Sequence, residues 1–321
     1  MIHTMKTKRG NDMGIVVIGT VFVDVKGFPN DTYVPNGRNA GRVEYVHGGV
    51  ARNVVEDIAN MELRPIFVSS VDDTALGRDV VEKLNNHKVN TEYVSVVPDS
   101  MGTWLAVFDH NGDLAGSISK RPDHSPILHI LEEKGDEIIG NADSVILQAD
   151  LHKDIVKRVF KLAEKYNKKL YALVSNMQLA TERRDFVQHF DCFICNKQEA
   201  GRLFLDNYEE KTAEEMQEIL VDKVVRANIP SMVVTLGGEG SVYADKEGNI
   251  TFSKEPIVGD QIELALATHN QGGIVIVQVS KIIKKISPKE VAIHKSLIDY
   301  VWNQNGTLPS GPEIWCFFAR S

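Results

Sequence analysis

Two hydrophobic patterns alternate along most of this chain. Short continuous apolar runs, of which residues 15–18 are the first, are typical of strands buried on both faces. Segments with apolar positions at helical spacing follow most of these runs. The strands are predicted at 15–19, 65–71, 103–109, 144–148, 170–174, 192–195 and 232–236, with a further extended segment at 89–97. One helix is predicted to begin at 50 and a second to end near 87, and further helices are predicted at 127–139, 153–166, 179–190, 198–205 and 212–227. Strands that alternate with helices predict an α/β fold with a mainly parallel central sheet.

Gly48 and Gly49 end an extended segment immediately before the first predicted helix. Paired glycines allow positive φ and a close approach by another group, and the amides at a helix start attract anions and polar ligands. The pair therefore has two interpretations: a ligand site that includes Asn53, or a tight strand-to-helix turn with a solvated Asn53. The apolar face of this helix is predicted from Val50, Val54, Ile58 and Met61.

Residues 26–46 are too polar and too rich in turn residues for a core layer. They predict a small β excursion over the main body, which would serve as a lid. Residues 103–120 read as two strands turned by Asn111-Gly112, a strong hairpin signal, and are assigned to the same lid.

Polar side chains follow several of the apolar runs. Asp24 comes after the first run, and ligands of open α/β sheets bind outside the carboxyl ends of the strands, so Asp24 is a candidate ligand contact or else a turn aspartate. Asn196 and Glu199 follow a later run at the spacing of a helix-capping arrangement. The alternative for this pair is a polar site at the edge of the sheet, where Glu199 would hold a metal-bound water.

A glycine-rich loop runs from Thr235 to Gly240, with further glycines at 237 and 238. The amides of such a loop can cradle phosphate. The loop lacks the lysine of a Walker A motif and is not a G-x-G-x-x-G, and an ordinary hairpin turn has a similar sequence.

Composition excludes several classes of protein. The net charge of −8 argues against a nucleic-acid partner. No apolar run approaches the roughly 18 residues of a membrane span, and residues 1–13 lack the apolar core of a signal peptide, so they are read as a flexible leader. The cysteines at 192, 195 and 316 are few and odd in number, which favours a reducing compartment and a cytoplasmic location.

Taken in order, these motifs resemble those of the ribokinase-like (PfkB) carbohydrate kinases over about residues 14–245, nearest the branch of pseudouridine and related sugar or nucleoside kinases. The resemblance implies a three-layer α/β sandwich with a mainly parallel sheet and a small β lid at about 26–46 and 103–120. The motifs that carry it are Asp24, Gly48-Gly49-x-x-x-Asn53, Asn196-x-x-Glu199 and Thr235-Leu236-Gly237-x-x-Gly240.

The resemblance also implies an activity, the transfer of the γ-phosphoryl group of ATP to a hydroxyl of a sugar or nucleoside. Asp24, Gly48, Gly49 and Asn53 would then hold the acceptor. Asn196, Thr235, Gly237 and Gly240 would bind the nucleotide, and Glu199 would hold Mg²⁺ through water. An exposed lid strand could also pair two copies into a homodimer.

The chain departs from this family at the Gly-Ala-Gly-Asp loop, whose aspartate is the family's catalytic base. The nearest substitute is Val258-Gly259-Asp260, in which Asp260 would be the base or else a helix cap. Because Val258 adopts positive φ poorly, the loop is expected to be altered and the activity impaired. A relative that binds sugar or nucleoside without catalysis is the alternative.

Residues 246–302 resemble an internal segment of acetate/3-ketoacid CoA-transferases, so this segment either completes the α/β body or is appended to it. The glutamate that forms the acyl-CoA thioester in those enzymes lies outside this stretch. A CoA-transferase-like function is therefore the weakest of the three hypotheses. Residues 303–321 are read as a tail.

Overall fold

The computed structural model describes residues 14–60, 63–182, 184–253, 264–268 and 275–279. The chain divides into two compact units, Met1–Phe193 and Ile194–Ser321. Within the described ranges, no helix combines the length and apolar character needed to cross a lipid bilayer.

The first unit contains a parallel sheet, a second smaller sheet and six helices among its described residues. Its strands are β1 (Ile15–Ile18), β2 (Phe22–Pro29), β3 (Gly41–Gly48), β4 (Ile66–Val71), β5 (Val94–Val96), β6 (Gly102–Phe108), β7 (Leu114–Lys120), β8 (Ser144–Gln148) and β9 (Lys169–Leu173). Its helices are α1 (Val50–Asn60), α2 (Ala75–Asn86), α3 (Ser125–Gly140), α4 (Lys153–Lys165), α5 (Met177–Thr181) and α6 (Arg184–Val187).

The parallel sheet of this unit has the strand order β9-β8-β1-β4-β5. Val16, Val17 and Ile18 of β1 have no solvent-exposed surface, as their continuous apolar run predicts for a central strand. The small sheet has the order β3-β2-β6-β7, in which β2 and β6 are parallel and the other neighbours antiparallel. This sheet matches the predicted lid but begins at Phe22, so that Asp24 lies inside a strand of the lid.

The second unit begins within a strand whose first residue, Cys192, pairs with Tyr171 of β9. The elements are β10 (Cys192–Asn196), α7 (Lys197–Phe204), α8 (Ala213–Arg226), β11 (Ser231–Thr235), β12 (Ser241–Asp245), β13 (Ile250–Ser253), β14 (Leu264–Thr268) and β15 (Val275–Val279), with a 3₁₀ turn at Gly237–Glu239. Strands β11, β12 and β13 form an antiparallel meander, and β14 pairs with β15.

The hydrophobic pattern located most elements, but two predictions were wrong in extent. The helix predicted at 179–190 is split into α5 and α6, and the extended segment predicted at 89–97 is a strand only at Val94–Val96. The predicted apolar face of α1 is confirmed for Val54 and Ile58, which are fully buried, and Met61 lies outside the described residues.

Candidate functional site

The Gly48-Gly49 pair forms the turn that joins lid strand β3 to α1. Gly49 has φ +100°, and a β-carbon there would lie 2.6 Å from the carbonyl oxygen of Thr20. The same close packing continues at Gly19, where a β-carbon would lie 2.2 Å from Cβ of Ala51 in α1. A side chain at Gly49 or at Gly19 would clash with these atoms, so the turn and the packing around it require glycine at both positions.

Asp24 lies on β2 with its carboxylate against Gly48. A β-carbon at position 48 would lie 2.5 Å from Oδ1 of Asp24. Asp24 is half-buried, and burial raises its pKa above the ordinary value, an effect that Lys26 partly offsets. The structure thus brings Asp24, Gly48 and Gly49 together.

Asn53 occupies the first turn of α1, where its backbone amide donates to the carbonyl oxygen of Gly49 at 2.9 Å. Its side-chain oxygen accepts a hydrogen bond from Nη1 of Arg52 at 3.0 Å. Asn53 is half-buried and held by the neighbouring Arg52, so it is only partly solvated.

A buried charge network supports this turn, and sequence analysis missed it. Arg52 is only 1% exposed and its Nη2 lies 2.6 Å from Oε2 of Glu56. Lys83 and His87 of the neighbouring region each lie 3.3 Å from Oε1 of Glu56. Burial raises the pKa of Glu56, but Arg52, Lys83 and His87 lower it by more, so that the net shift is downward.

Gln148 is a second residue that sequence analysis missed. Its Oε1 accepts from the backbone amide of Thr20 at 3.0 Å and from the Thr20 hydroxyl at 3.1 Å. Its Nε2 donates to Ser175 Oγ at 2.9 Å and to Asp150 Oδ2 at 3.3 Å. Gln148 therefore connects the carboxyl end of β8 to the segment from which the lid strand β2 starts. Its position at the end of a buried apolar run was the available signal, because the same criterion singled out Asp24.

The residues predicted to bind nucleotide lie in the second unit. Asn196 and Glu199 form a reciprocal capping box at the start of α7, with both amide-to-side-chain hydrogen bonds at 2.8 Å. The capping interpretation of this pair is therefore correct as geometry. This geometry is compatible with an added role of Glu199 in metal binding, because a carboxylate has several acceptor positions.

The glycine-rich loop joins the antiparallel strands β11 and β12. Gly237 and Gly240 have φ of +62° and +109°. Leu236 donates its amide to Gly240 at 2.8 Å, and Gly240 donates to Gly237 at 3.1 Å. Glu239 also donates to Leu236 at 3.3 Å, so three amides are used inside the loop, which makes the loop closer to a hairpin turn than its glycine content indicates. Thr235 is anchored through its hydroxyl, which donates to the carbonyl oxygen of Cys195 at 3.4 Å.

Two further predictions concern Asp260 and a metal site. Asp260 lies outside the described residues, so its role as base or helix cap stays a prediction. Within the ranges that the structure describes, no group of three or more His, Cys, Asp or Glu side chains could hold a metal ion.

Comparison with known proteins identifies related chains. The family model for pfkB family carbohydrate kinase matches residues 13–259. A guanosine-inosine kinase from Exiguobacterium acetylicum is 30% identical over 249 residues, covering 76% of this chain and 81% of that protein. A pseudouridine kinase from Escherichia coli is 20% identical over 247 residues, covering 74% and 75%.

Solved structures show the same fold. Ribokinase from Arabidopsis thaliana, complexed with ribose and ATP, superposes with a TM-score of 0.64 at 19% identity, covering 77% of this chain and 79% of that one. The predicted ribokinase-like α/β fold with a mainly parallel sheet and a second small sheet is thereby confirmed.

A separate short match concerns CoA-transferases. A caffeate CoA-transferase from Acetobacterium woodii is 47% identical over 60 residues, which is 18% of this chain but only 12% of that enzyme. The resemblance to a CoA-transferase segment is therefore real, but it covers too little of that enzyme to assign its activity.

The match to the family model extends over most of the chain and takes in the lid, the Gly-Gly turn, the capping box and the glycine loop. The chain belongs to the pfkB family of carbohydrate kinases.

Proposed function

We propose that this protein transfers the γ-phosphoryl group of ATP to a hydroxyl of a sugar or nucleoside. The observation that carries the proposal is the placement of the Asp24 carboxylate directly over Gly48, beside the helix turn that holds Asn53. A carboxylate and an amide are suited to bind vicinal hydroxyls, because both accept hydrogen bonds and the amide also donates them. Family membership and a nucleoside kinase relative at 30% identity support the same activity.

In this proposal Asp24, Asn53 and the Gly48-Gly49 backbone orient the acceptor. Phosphoryl transfer depends mainly on positioning and charge stabilisation, so holding the hydroxyl in place is a large part of what the protein must do. The close packing around Gly49 and Gly19 makes this part of the site rigid.

Asn196, Thr235, Gly237 and Gly240 would bind ATP in the second unit, and Glu199 would hold Mg²⁺ through a water. Mg²⁺ usually keeps several waters and is bound by one or two carboxylates together with substrate phosphates. A single carboxylate that already anchors a helix start fits that ligand set. When bound, Mg²⁺ would neutralise charge on the phosphates.

A second candidate function is binding of the same ligands without catalysis. The match to the family model ends at residue 259, immediately before Asp260, and the Gly-Ala-Gly-Asp loop is missing from the sequence. If Asp260 does not act as the base, the acceptor hydroxyl would lack a group to take its proton.

One set of measurements separates these candidates. Purified protein is mixed with Mg²⁺, ATP and a panel of inosine, guanosine, pseudouridine and ribose, while isothermal titration calorimetry measures binding of each. Phosphorylated product supports the kinase, and its loss in Asp260→Asn would identify the base. Binding without product supports the second candidate. Neither binding nor product contradicts both.

Homodimerisation through the lid and a cytoplasmic location are further parts of the proposal. One face of the lid carries Tyr45, Leu105 and Ile118, which are 63%, 42% and 70% exposed. A second copy of this chain would cover that apolar row. Ile118→Asp should then shift the protein from dimer to monomer in analytical ultracentrifugation. A single monomeric species in the wild type would contradict the dimer.

A further inference from the structure

The lid face that carries Asp24 also carries aromatic residues. Side chains of a strand alternate between the two faces, so Asp24 and Phe28 of β2 lie on one face. Trp104 pairs directly with Asp24 across the parallel β2–β6 ladder, and the ring of Phe108 packs against that of Phe28. All three aromatic side chains are half-buried. The Asp24 face of the lid thus combines the Asp24 carboxylate with these three rings and with Phe22 of the same strand.

The rings of Phe28 and Phe108 pack against each other. Phe28 and Phe108 are stacked, with centroids 4.8 Å apart and an interplanar angle of 8°. The guanidinium of Arg42 lies 4.3 Å from the centroid of Phe28. Trp104 differs, because its ring stands nearly perpendicular to Phe108, at 84° and 6.4 Å. Phe108 therefore fixes the orientation of the indole without stacking on it.

Trp104 is also the ring nearest to Asp24 in the ladder. Neighbouring strands lie about 4.8 Å apart, so the indole is one strand away from the carboxylate. A monosaccharide whose hydroxyls bind Asp24 needs hydrogen-bond partners near that carboxylate but no aromatic ring. A flat aromatic group attached to that sugar would extend by about one strand spacing and reach the indole.

We propose that the acceptor is a nucleoside, whose sugar hydroxyls contact Asp24 and whose base stacks on Trp104. This inference rests on the assignment of Asp24 to the acceptor in the proposed function and narrows the acceptor class. Nζ of Lys26 lies over the Trp104 ring, 6.0 Å from its centroid, and would supply a hydrogen-bond donor beside a base stacked there. Trp104 is thus a specificity-determining residue.

The test compares inosine, guanosine and pseudouridine with D-ribose by isothermal titration calorimetry, without ATP. At least one nucleoside should bind about 100-fold more tightly than ribose. Trp104→Leu should weaken that binding about tenfold or more, the usual effect of removing a base-stacking ring, whereas Trp104→Phe should retain most of it. Phe160→Leu is the matched control, because Phe160 is also a half-buried aromatic residue but lies on α4, outside the lid.

Circular dichroism melts would establish that each variant folds. If Trp104→Leu does not, fluorescence of the wild type carries the test, since a stacked base should quench an emission component that Trp104→Phe lacks. The proposal is overturned if no nucleoside binds, if ribose binds as tightly, or if Trp104→Leu and Phe160→Leu have equal effects on nucleoside binding. Nucleoside binding that depends on Trp104, without phosphate transfer from ATP, would instead contradict the kinase activity alone.

Discussion

The carboxylate of Asp24 lies so close to Gly48 that a β-carbon at position 48 would come within 2.5 Å of Oδ1. Gly49 is constrained differently, by φ of +100° and by the carbonyl oxygen of Thr20 at 2.6 Å. Glycine is thus required at position 48 by the side chain of Asp24, which can move. At position 49 it is required by the backbone, through the positive φ and the Thr20 carbonyl oxygen.

The two glycines should consequently respond differently to substitution. Gly48→Ala should fold with a melting temperature near that of the wild type but raise the acceptor KM at least tenfold, because the new methyl group displaces the Asp24 carboxylate. Gly49→Ala should lose more than about 2 kcal/mol of unfolding free energy, since it combines strained φ with a backbone clash. Urea denaturation and initial-rate kinetics measure the two effects. A wild-type acceptor KM in Gly48→Ala would contradict the role of Asp24.

We expect ionised Asp24 to lower the stability of the protein and to make both stability and acceptor affinity depend on pH. Because burial raises its folded-state pKa, ionised Asp24 disfavours folding at neutral pH, and this cost is relieved as the pH falls through the raised pKa. Asp24→Asn should therefore be at least as stable as the wild type at pH 7, with the difference shrinking on acidification, while its acceptor affinity falls.

The corresponding measurements are thermal melts and acceptor titrations from neutral to acidic pH. Wild-type acceptor affinity should decrease as the pH falls, beginning above the range in which an exposed aspartate titrates. Asp24→Asn should show no such step. A variant less stable than the wild type at pH 7 would mean that Asp24 has a structural function.

Gln148 should act as a positioning residue for the acceptor side. Gln148→Leu removes the acceptor of the Thr20 amide and hydroxyl, both buried, and should cost about 1–3 kcal/mol of unfolding free energy. Since Thr20 packs against Gly49, the acceptor KM should rise more than the ATP KM. Exposed Gln178→Leu is the control. Equal changes in both KM values would indicate a general loss of structure.

Glu56 should stabilise the protein through the buried Arg52. Removing one partner of a buried ion pair leaves the other uncompensated, so Glu56→Gln should cost about 3 kcal/mol. The lowered folded-state pKa means that the contribution of Glu56 is complete above its unfolded-state pKa and is lost as the pH falls through the folded-state value. Glu82→Gln, at an exposed position on α2, should change stability by less than about 0.5 kcal/mol.

Glu199→Gln separates capping from metal binding. The glutamine oxygen can still accept from the Asn196 amide, so the capping box and the melting temperature should be retained. The KM for MgATP should nevertheless rise severalfold, because the carboxylate charge is lost. Asn196→Ala is the comparison and should lose about 1 kcal/mol through its missing cap. A Glu199→Gln variant with unchanged MgATP dependence would leave only the structural role.

Local pattern was enough to predict most strands and helices, the turn at Gly48-Gly49 and the small β lid. These features depend on neighbouring residues, on backbone freedom at glycine and on the two side-chain periodicities. The order of Asp24, Asn53, Asn196 and Thr235 along the chain was also sufficient to indicate the family, which the comparisons confirmed.

Tertiary structure alone decided which polar groups meet. Gln148 accepts hydrogen bonds from Thr20 across 128 positions, and Arg52 is buried although it is not among the residues of the predicted apolar face of α1. Trp104 faces the same side as Asp24 because of strand register, and a shift of one residue would place it on the opposite face. Such long-range pairings depend on sheet register and packing, which residues adjacent in sequence do not encode.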